Sequence, residues 1–251
     1  MPVLDYKNIS MRYHTLDGET LAIDGFSHSF EKGEFTAIVG PSGCGKSTIL
    51  SLAAGLIFPD SGQVLLNGEE VKGPSAKVGY MLQSDHLFPW LTIEKNACVG
   101  LKVRHLLNPD TLKNVRDLLE SCGLADFMDK YPYQLSGGMR QRAALVRTLA
   151  LDPDILLLDE PFSALDFQTR LNVSQDVHRI IREKGKTAVL VTHDITEAIS
   201  MADRVIVLSK RPARVLFVHD IELTGSPMER RMSGLINRYF DMLWRELNMD
   251  E

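Results

Sequence analysis

The chain has 251 residues, 44% of them hydrophobic and 24% charged, with a formal net charge of −5. That is enough chain to bury one full α/β core, and the acidic balance argues against the basic face on which a nucleic-acid binder depends. Three scattered cysteines (Cys44, Cys98, Cys122), no uninterrupted apolar run of about 18 residues and no basic-then-apolar start point away from a disulfide scaffold, a membrane span and a secretory leader, and toward a soluble chain in a reducing compartment.

In chain order, Val3 to Ile9, a break at Asp17-Gly18, Phe26 to Phe30 and the turn Glu31-Lys32-Gly33 predict antiparallel strands. Tyr13 lies among them, where its ring either stacks on an adenine or is a half-buried strand tyrosine. Phe35 to Val39 is apolar and partly β-branched, as a buried parallel strand is, and Ile49 to Ala54 reads as a helix closed by Gly55. Between them Gly40-Pro41-Ser42-Gly43-Cys44-Gly45-Lys46-Ser47-Thr48 fits the pattern Gly-x4-Gly-Lys-Ser/Thr. Glycines let such a loop curl so that its N–H groups and the helix N-terminus converge on the phosphates of ATP. Lys46 adds a point charge, Ser47 offers a hydroxyl to Mg²⁺, and Thr48 begins the helix. Cys44 is expected to serve there through its backbone N–H; a redox role needs exposure and a lowered pKa.

Gln63 to Leu66 reads as a strand running into an Asn67-Gly68 turn, and Val78 to Leu82 as another, ending at Gln83. Leu87 to Ile93 is apolar, aromatic and broken by Pro89. Asp110 to Glu120 is a predicted helix with Asp110 as N-cap and Leu112, Val115, Leu118 and Leu119 on one face; a short helical piece follows over 125–130. In Leu135-Ser136-Gly137-Gly138-Met139-Arg140-Gln141, Ser136 caps a helix running to Ala150, and the paired glycines leave N–H groups open at its positive end. This is a second phosphate site. One nucleotide has one γ-phosphate, so each site is expected to complete the pocket of another subunit.

The core resumes with Ile155 to Asp159 and Thr187 to Val191, both predicted interior strands. Asp159 at a strand end suits Mg²⁺, and Glu160 suits the attacking water. Gln83 and His193 each follow a β-run, where α/β sheets place ligand contacts; Gln83 can reach metal or water, and His193 the γ-phosphate. Asp194 and Glu197 are set as a capping box for a helix through Ala202, before a strand at 204–208. From Ser226 the tail carries Met232, Leu235, Ile236, Tyr239, Phe240, Leu243 and Leu247 at helical spacing. It is expected to pack on the core, the alternative being Arg230, Arg231, Arg238 and Arg245 on lipid headgroups.

With these motifs in this order the chain resembles the ATP-binding subunit of an ABC transporter over essentially its whole length. The resemblance implies an α/β fold, a phosphate-loop NTPase (RecA-like) core with an antiparallel β subdomain and an inserted α-helical subdomain. As one domain over 1–251, it divides into core and β subdomain (1–87 and 150–225), helical insertion (88–149) and C-terminal helix (226–251). It also implies ATP hydrolysis with Mg²⁺. Catalysis would fall to Glu160, His193 and Gln83, metal binding to Ser47, Gln83 and Asp159. Nucleotide contacts would come from Tyr13, Gly40, Ser42, Gly43, Cys44, Gly45, Lys46, Ser47, Thr48, Ser136, Gly137, Gly138, Gln141 and, in the loop Ser163-Ala164-Leu165-Asp166, Asp166. The implied partners are a second copy, head to tail, a transmembrane permease and, indirectly, a solute-binding protein, with no nucleic acid, at the cytoplasmic side of the membrane. Leu87 to Asn96 resembles the nitrate, sulfonate, taurine and bicarbonate importer group, in which Phe88 and Trp90 would border a groove for the membrane subunit; core packing is the alternative. A ribosome- or DNA-acting ABC ATPase, usually with two cassettes or long coiled insertions, and an exporter motor are the rivals. Thr15 to Thr20 lengthens the gap after Tyr13 relative to many members.

Overall fold

Apolar runs without polar alternation require a sheet covered on both faces, and a computed structural model of the chain, describing residues 2–15 and 18–249, contains one. The strands are β1 (Leu4–Thr15), β2 (Gly18–Phe30), β3 (Phe35–Val39), β4 (Ser61–Leu66), β5 (Glu69–Glu70), β6 (Val78–Met81), β7 (Ile155–Asp159), β8 (Thr187–Val191), β9 (Arg204–Leu208) and β10 (Val215–Asp220). A six-stranded sheet has the order β10-β9-β3-β8-β7-β6, parallel except for the edge strand β10. A four-stranded antiparallel sheet has the order β2-β1-β4-β5.

Alternate residues of the buried strands feed two cores, as a period of two dictates. Ile155, Leu157, Val189 and Ile206 join Ile9, Phe26 and Phe30 of the small sheet, and helix α1 (Lys46–Ala53) fills the space between through Ile49 and Leu50. Tyr6 locks this layer, donating its hydroxyl to Ile49 O at 2.7 Å. Leu156, Leu158, Leu190 and Val205 face the opposite way, toward the helices.

Those helices are α2 (Ile93–Ala97), α3 (Val99–Val103), α4 (Pro109–Ser121), α5 (Gly137–Leu149), α6 (Phe167–Glu183), α7 (Ile195–Met201), α8 (Pro227–Met232) and α9 (Ile236–Leu247). The N-cap of α4 is Asn108 rather than Asp110: its side chain accepts from the N–H groups of Asp110 and Thr111, and Pro109 takes the first helical position, where no N–H is needed. At α7 half of the expected capping box forms, Asp194 accepting from Glu197 N at 3.0 Å. The 125–130 piece shrinks to a single 3₁₀ turn, Ala125–Phe127. The turn at Asn67-Gly68 forms as read, both residues at positive φ. The break near Asp17-Gly18 falls partly on residues 16 and 17, outside the described residues.

The tail is two helices rather than one. The interruption at 233–235 destroys the phase of the apolar stripe, so Ile236 and Leu243 are buried while Met232 is 76% exposed. Arg230 is buried against the core, donating to Ala202 O at 2.7 Å, which removes it from any lipid-facing role.

Candidate nucleotide site

The loop between β3 and α1 needs glycine at position 45 twice over. Its φ is +125°, and an added Cβ would lie 3.0 Å from Ala22 O and 3.2 Å from Ala213 Cβ. Gly45 is also the N-cap of α1 and offers no side-chain bond, so the helix presents its first N–H groups to the loop. Lys46 is 6% exposed and folds its ammonium into the curl, donating to Gly40 O at 2.8 Å and Pro41 O at 2.9 Å. Ser42, Gly43, Gly45, Lys46, Ser47, Thr48 and Glu160 line a cleft of about 310 Å³. Cys44 departs from expectation. Its N–H turns inward to Pro41 O at 3.3 Å, and its side chain is buried, which pushes the thiol up and leaves no basis for a redox role.

Asp159, at the end of β7, accepts from Ser47 Oγ at 3.1 Å and from Tyr80 Oη at 3.2 Å. Burial pushes its carboxyl up, and these two bonds pull it back down. Tyr80 is the residue that sequence reasoning missed. Burial, then the Asp159 charge, pushes its phenol up to about 12, so it stays a donor to the carboxylate. The only sequence signal was an aromatic near the end of the strand that runs to Gln83. A hydroxyl beside a partly buried carboxylate is a hard oxygen pair of the kind that holds Mg²⁺ when phosphates and waters complete the shell. Gln83 is turned elsewhere: its amide donates to Ser163 Oγ at 3.3 Å.

Glu160 adopts φ +45°, a left-handed conformation that costs a non-glycine residue on the order of 1 kcal/mol. Its N–H donates to Val191 O at 2.9 Å, pinning it to the neighbouring strand, and its carboxylate lies 3.2 Å from His193 Nδ1. The carboxylate lines the cleft that holds Lys46 and Ser47, and the imidazole stands beside that carboxylate.

Ser136 caps α5, accepting from Met139 N at 3.4 Å. A Cβ at Gly138 would meet Thr169 Cγ2 at 2.4 Å, so this glycine is what lets α5 lie against α6. Gly138→Val should therefore force the helices apart, costing roughly 1–3 kcal/mol and lowering the melting temperature by several degrees; an unchanged melting curve would show that the contact is not tight. Gln141 does not face outward. It is buried and donates to Gln83 O at 3.3 Å, tying α5 to the segment after β6. Asp166 caps α6; hydrogen bonds from Thr169 hold its carboxyl below the usual range. Tyr13 is 40% exposed, its hydroxyl 3.1 Å from Thr48 Oγ1. No residue of 135–141 lines the cleft.

A phosphate loop between strand and helix, with Asp159-Glu160 closing the parallel strand two places away in the same sheet, defines a phosphate-loop ATPase. A family described as ABC transporter matches residues 23–163. An uncharacterized ABC transporter ATP-binding protein, YtlC of Bacillus subtilis, is 46% identical over 99% of this chain and 96% of its own. The taurine import ATP-binding protein TauB of Roseobacter denitrificans is 41% identical over 86% of this chain and 81% of its own. The aliphatic sulfonates import ATP-binding protein SsuB of Bacillus licheniformis is 43% identical over 78% and 76%. The dimeric post-hydrolysis structure of the ATP-binding cassette MJ0796 bound to ADP and Pi superposes with a TM-score of 0.76 at 31% identity, covering 88% of this chain and all of that one. The chain belongs to the ABC transporter family and is an ATP-binding, ATP-hydrolysing cassette.

Proposed function

We propose that this ATPase powers import of a small organic anion of the taurine or aliphatic sulfonate class, as a head-to-tail pair of copies docked on a transmembrane permease. The observation that carries the reading is the one-sided cleft. The phosphate loop and Glu160 line it, with Asp159 bonded to Ser47 and His193 beside Glu160, while Ser136, Gly137 and Gly138 do not line it. Ser136 and the glycine N–H groups of a second copy would then face the γ-phosphate held by the first. Ser47 and Asp159 would hold Mg²⁺, which would supply neutralisation of phosphate charge. Lys46 binds the phosphates, Glu160 orients and deprotonates the attacking water, and His193 holds the carboxylate in place and donates toward the developing charge. Gln83 and Gln141 act from behind as the link between the site and α5, and Tyr13 borders the adenine side.

The same reading divides the chain into core with β subdomain (1–87 and 150–225), helical insertion (88–149) and tail (226–251). The insertion offers the permease a surface: Trp90 is 69% exposed, with its ring 5.3 Å from that of Phe88. Buried Asn96 fixes that loop, accepting from Phe88 N at 2.7 Å and donating to the carbonyls of Phe88, Leu91 and Thr92. Exposed aromatics on a braced loop fit an interface anchor rather than core packing. Among the described residues no helix is long and apolar enough to cross a membrane. Proteoliposomes holding this chain with the permease and solute-binding protein from its genomic neighbourhood test the proposal. ATP-dependent accumulation of labelled taurine or an alkanesulfonate is expected; accumulation of neither, with ATP hydrolysis intact, would contradict the cargo class.

A further inference from the structure

Strand β6 lies at the edge of the six-stranded sheet, paired in parallel with β7 so that Tyr80 stands opposite Leu157. Side chains repeat every two residues along a strand, so Tyr80 shares a face of the sheet with Leu157 and Asp159. That face is the one α1 covers: Val78 and Tyr80, both partly buried, pack on the core that contains Leu157, Ile49 and Leu50. Gly79 belongs to the opposite face, where an added Cβ would meet Thr148 Cγ2 of α5 at 2.7 Å, so β6 is held close against that helix. The Tyr80 ring therefore sits on the core while its hydroxyl reaches the end of β7.

There the two oxygens of Asp159 are divided. Oδ1 accepts from Ser47 Oγ at 3.1 Å, and Oδ2 accepts from Tyr80 Oη at 3.2 Å. The first oxygen faces the phosphate-loop helix and the second faces β6. Cations that suit hard oxygens differ in what they ask of a carboxylate. Mg²⁺ demands a strict octahedron and keeps waters and phosphates beside its carboxylate, whereas Ca²⁺ takes a larger, looser shell and accepts a carboxylate through both oxygens. We propose that Tyr80 is a positioning and specificity residue for the divalent cation: by holding Oδ2 it leaves Asp159 one oxygen to give, which suits Mg²⁺ and disfavours Ca²⁺. The inference rests on the placing of Mg²⁺ at Ser47 and Asp159 proposed above. Hydrogen-bond partners of a metal-binding carboxylate also orient it, and losing one typically costs about 10- to 100-fold in metal affinity. Phenylalanine at position 80 would keep the ring on the core and remove only the donor, freeing Oδ2.

The test measures by calorimetry the Kd of the full chain for a non-hydrolysable ATP analogue with saturating Mg²⁺, with saturating Ca²⁺ and with EDTA. The parent, Tyr80→Phe and Asp159→Asn are compared, with melting curves beside them. Tyr80→Phe is expected to weaken binding with Mg²⁺ about tenfold, to leave binding with Ca²⁺ as tight as in the parent or tighter, and to leave the metal-free Kd unchanged. Equal weakening with both cations would mean that the hydroxyl only steadies the strand, and would overturn the inference. Parental Kd values for Tyr80→Phe in all three conditions, with Asp159→Asn weakened wherever a cation is present, would also overturn it and leave the metal site standing. Asp159→Asn indistinguishable from the parent with Mg²⁺ would overturn the placing of the cation itself.

Discussion

Glu160→Gln is expected to bind ATP as the parent does and to turn it over two to four orders of magnitude more slowly, the range a positioned general base supplies. The substitution keeps the shape of the side chain and its reach to His193 Nδ1, 3.2 Å away, while removing the basic oxygen. The backbone at residue 160 is left-handed and tied to Val191 O, so glutamine inherits the same placement and the effect reads out chemistry rather than rearrangement. Nucleotide titration and phosphate release on the same preparation separate the two quantities. Turnover within a few-fold of the parent would take Glu160 out of the reaction.

Lys46→Ala is expected to fail one step earlier, at binding. A hydrogen bond from a charged donor contributes about 1.5–3 kcal/mol, so the Kd for ATP should rise by roughly one to two orders of magnitude. The carbonyls of Gly40 and Pro41 would lose their ammonium partner as well, so the melting temperature of the nucleotide-free variant should be followed beside the calorimetric titration. Lys46→Arg should not restore affinity, because a planar guanidinium does not fit a curl shaped around a compact ammonium. Parental affinity in Lys46→Ala would remove the loop from phosphate binding.

The parts of this fold that sequence made readable are those governed by local rules. Buried parallel strands announce themselves as unbroken apolar runs, which is why 35–39, 155–159 and 187–191 were found within a residue of their ends. What escaped was decided by partners distant in the chain. Strand β10 has no buried position and exists because β9 offers it an edge. Helix α6 begins directly after its N-cap Asp166, in a loop whose Ser163 to Asp166 pattern points to nucleotide contacts rather than to a helix start. At the site, spacing brought Lys46, Ser47, Asp159, Glu160 and His193 together in prospect, and the structure brings them together in space. Spacing could not reveal that Gln141 faces Gln83 inside its own subunit, that Cys44 turns its N–H inward, or that Tyr80 shares Asp159. Each of those depends on a packing direction rather than a motif.

The claim that organises this account is that one nucleotide is shared by two copies, one presenting the phosphate loop and the other Ser136 with its glycines. Sedimentation equilibrium of Glu160→Gln with and without ATP addresses it most directly, because hydrolysis can no longer dissolve the assembly. The expected result is a monomer alone and a doubled mass with ATP, abolished by Ser136→Arg at unchanged ATP affinity. A protein that stays single with ATP bound, while the parent hydrolyses ATP at full rate at concentrations where it too is single, would contradict the shared site.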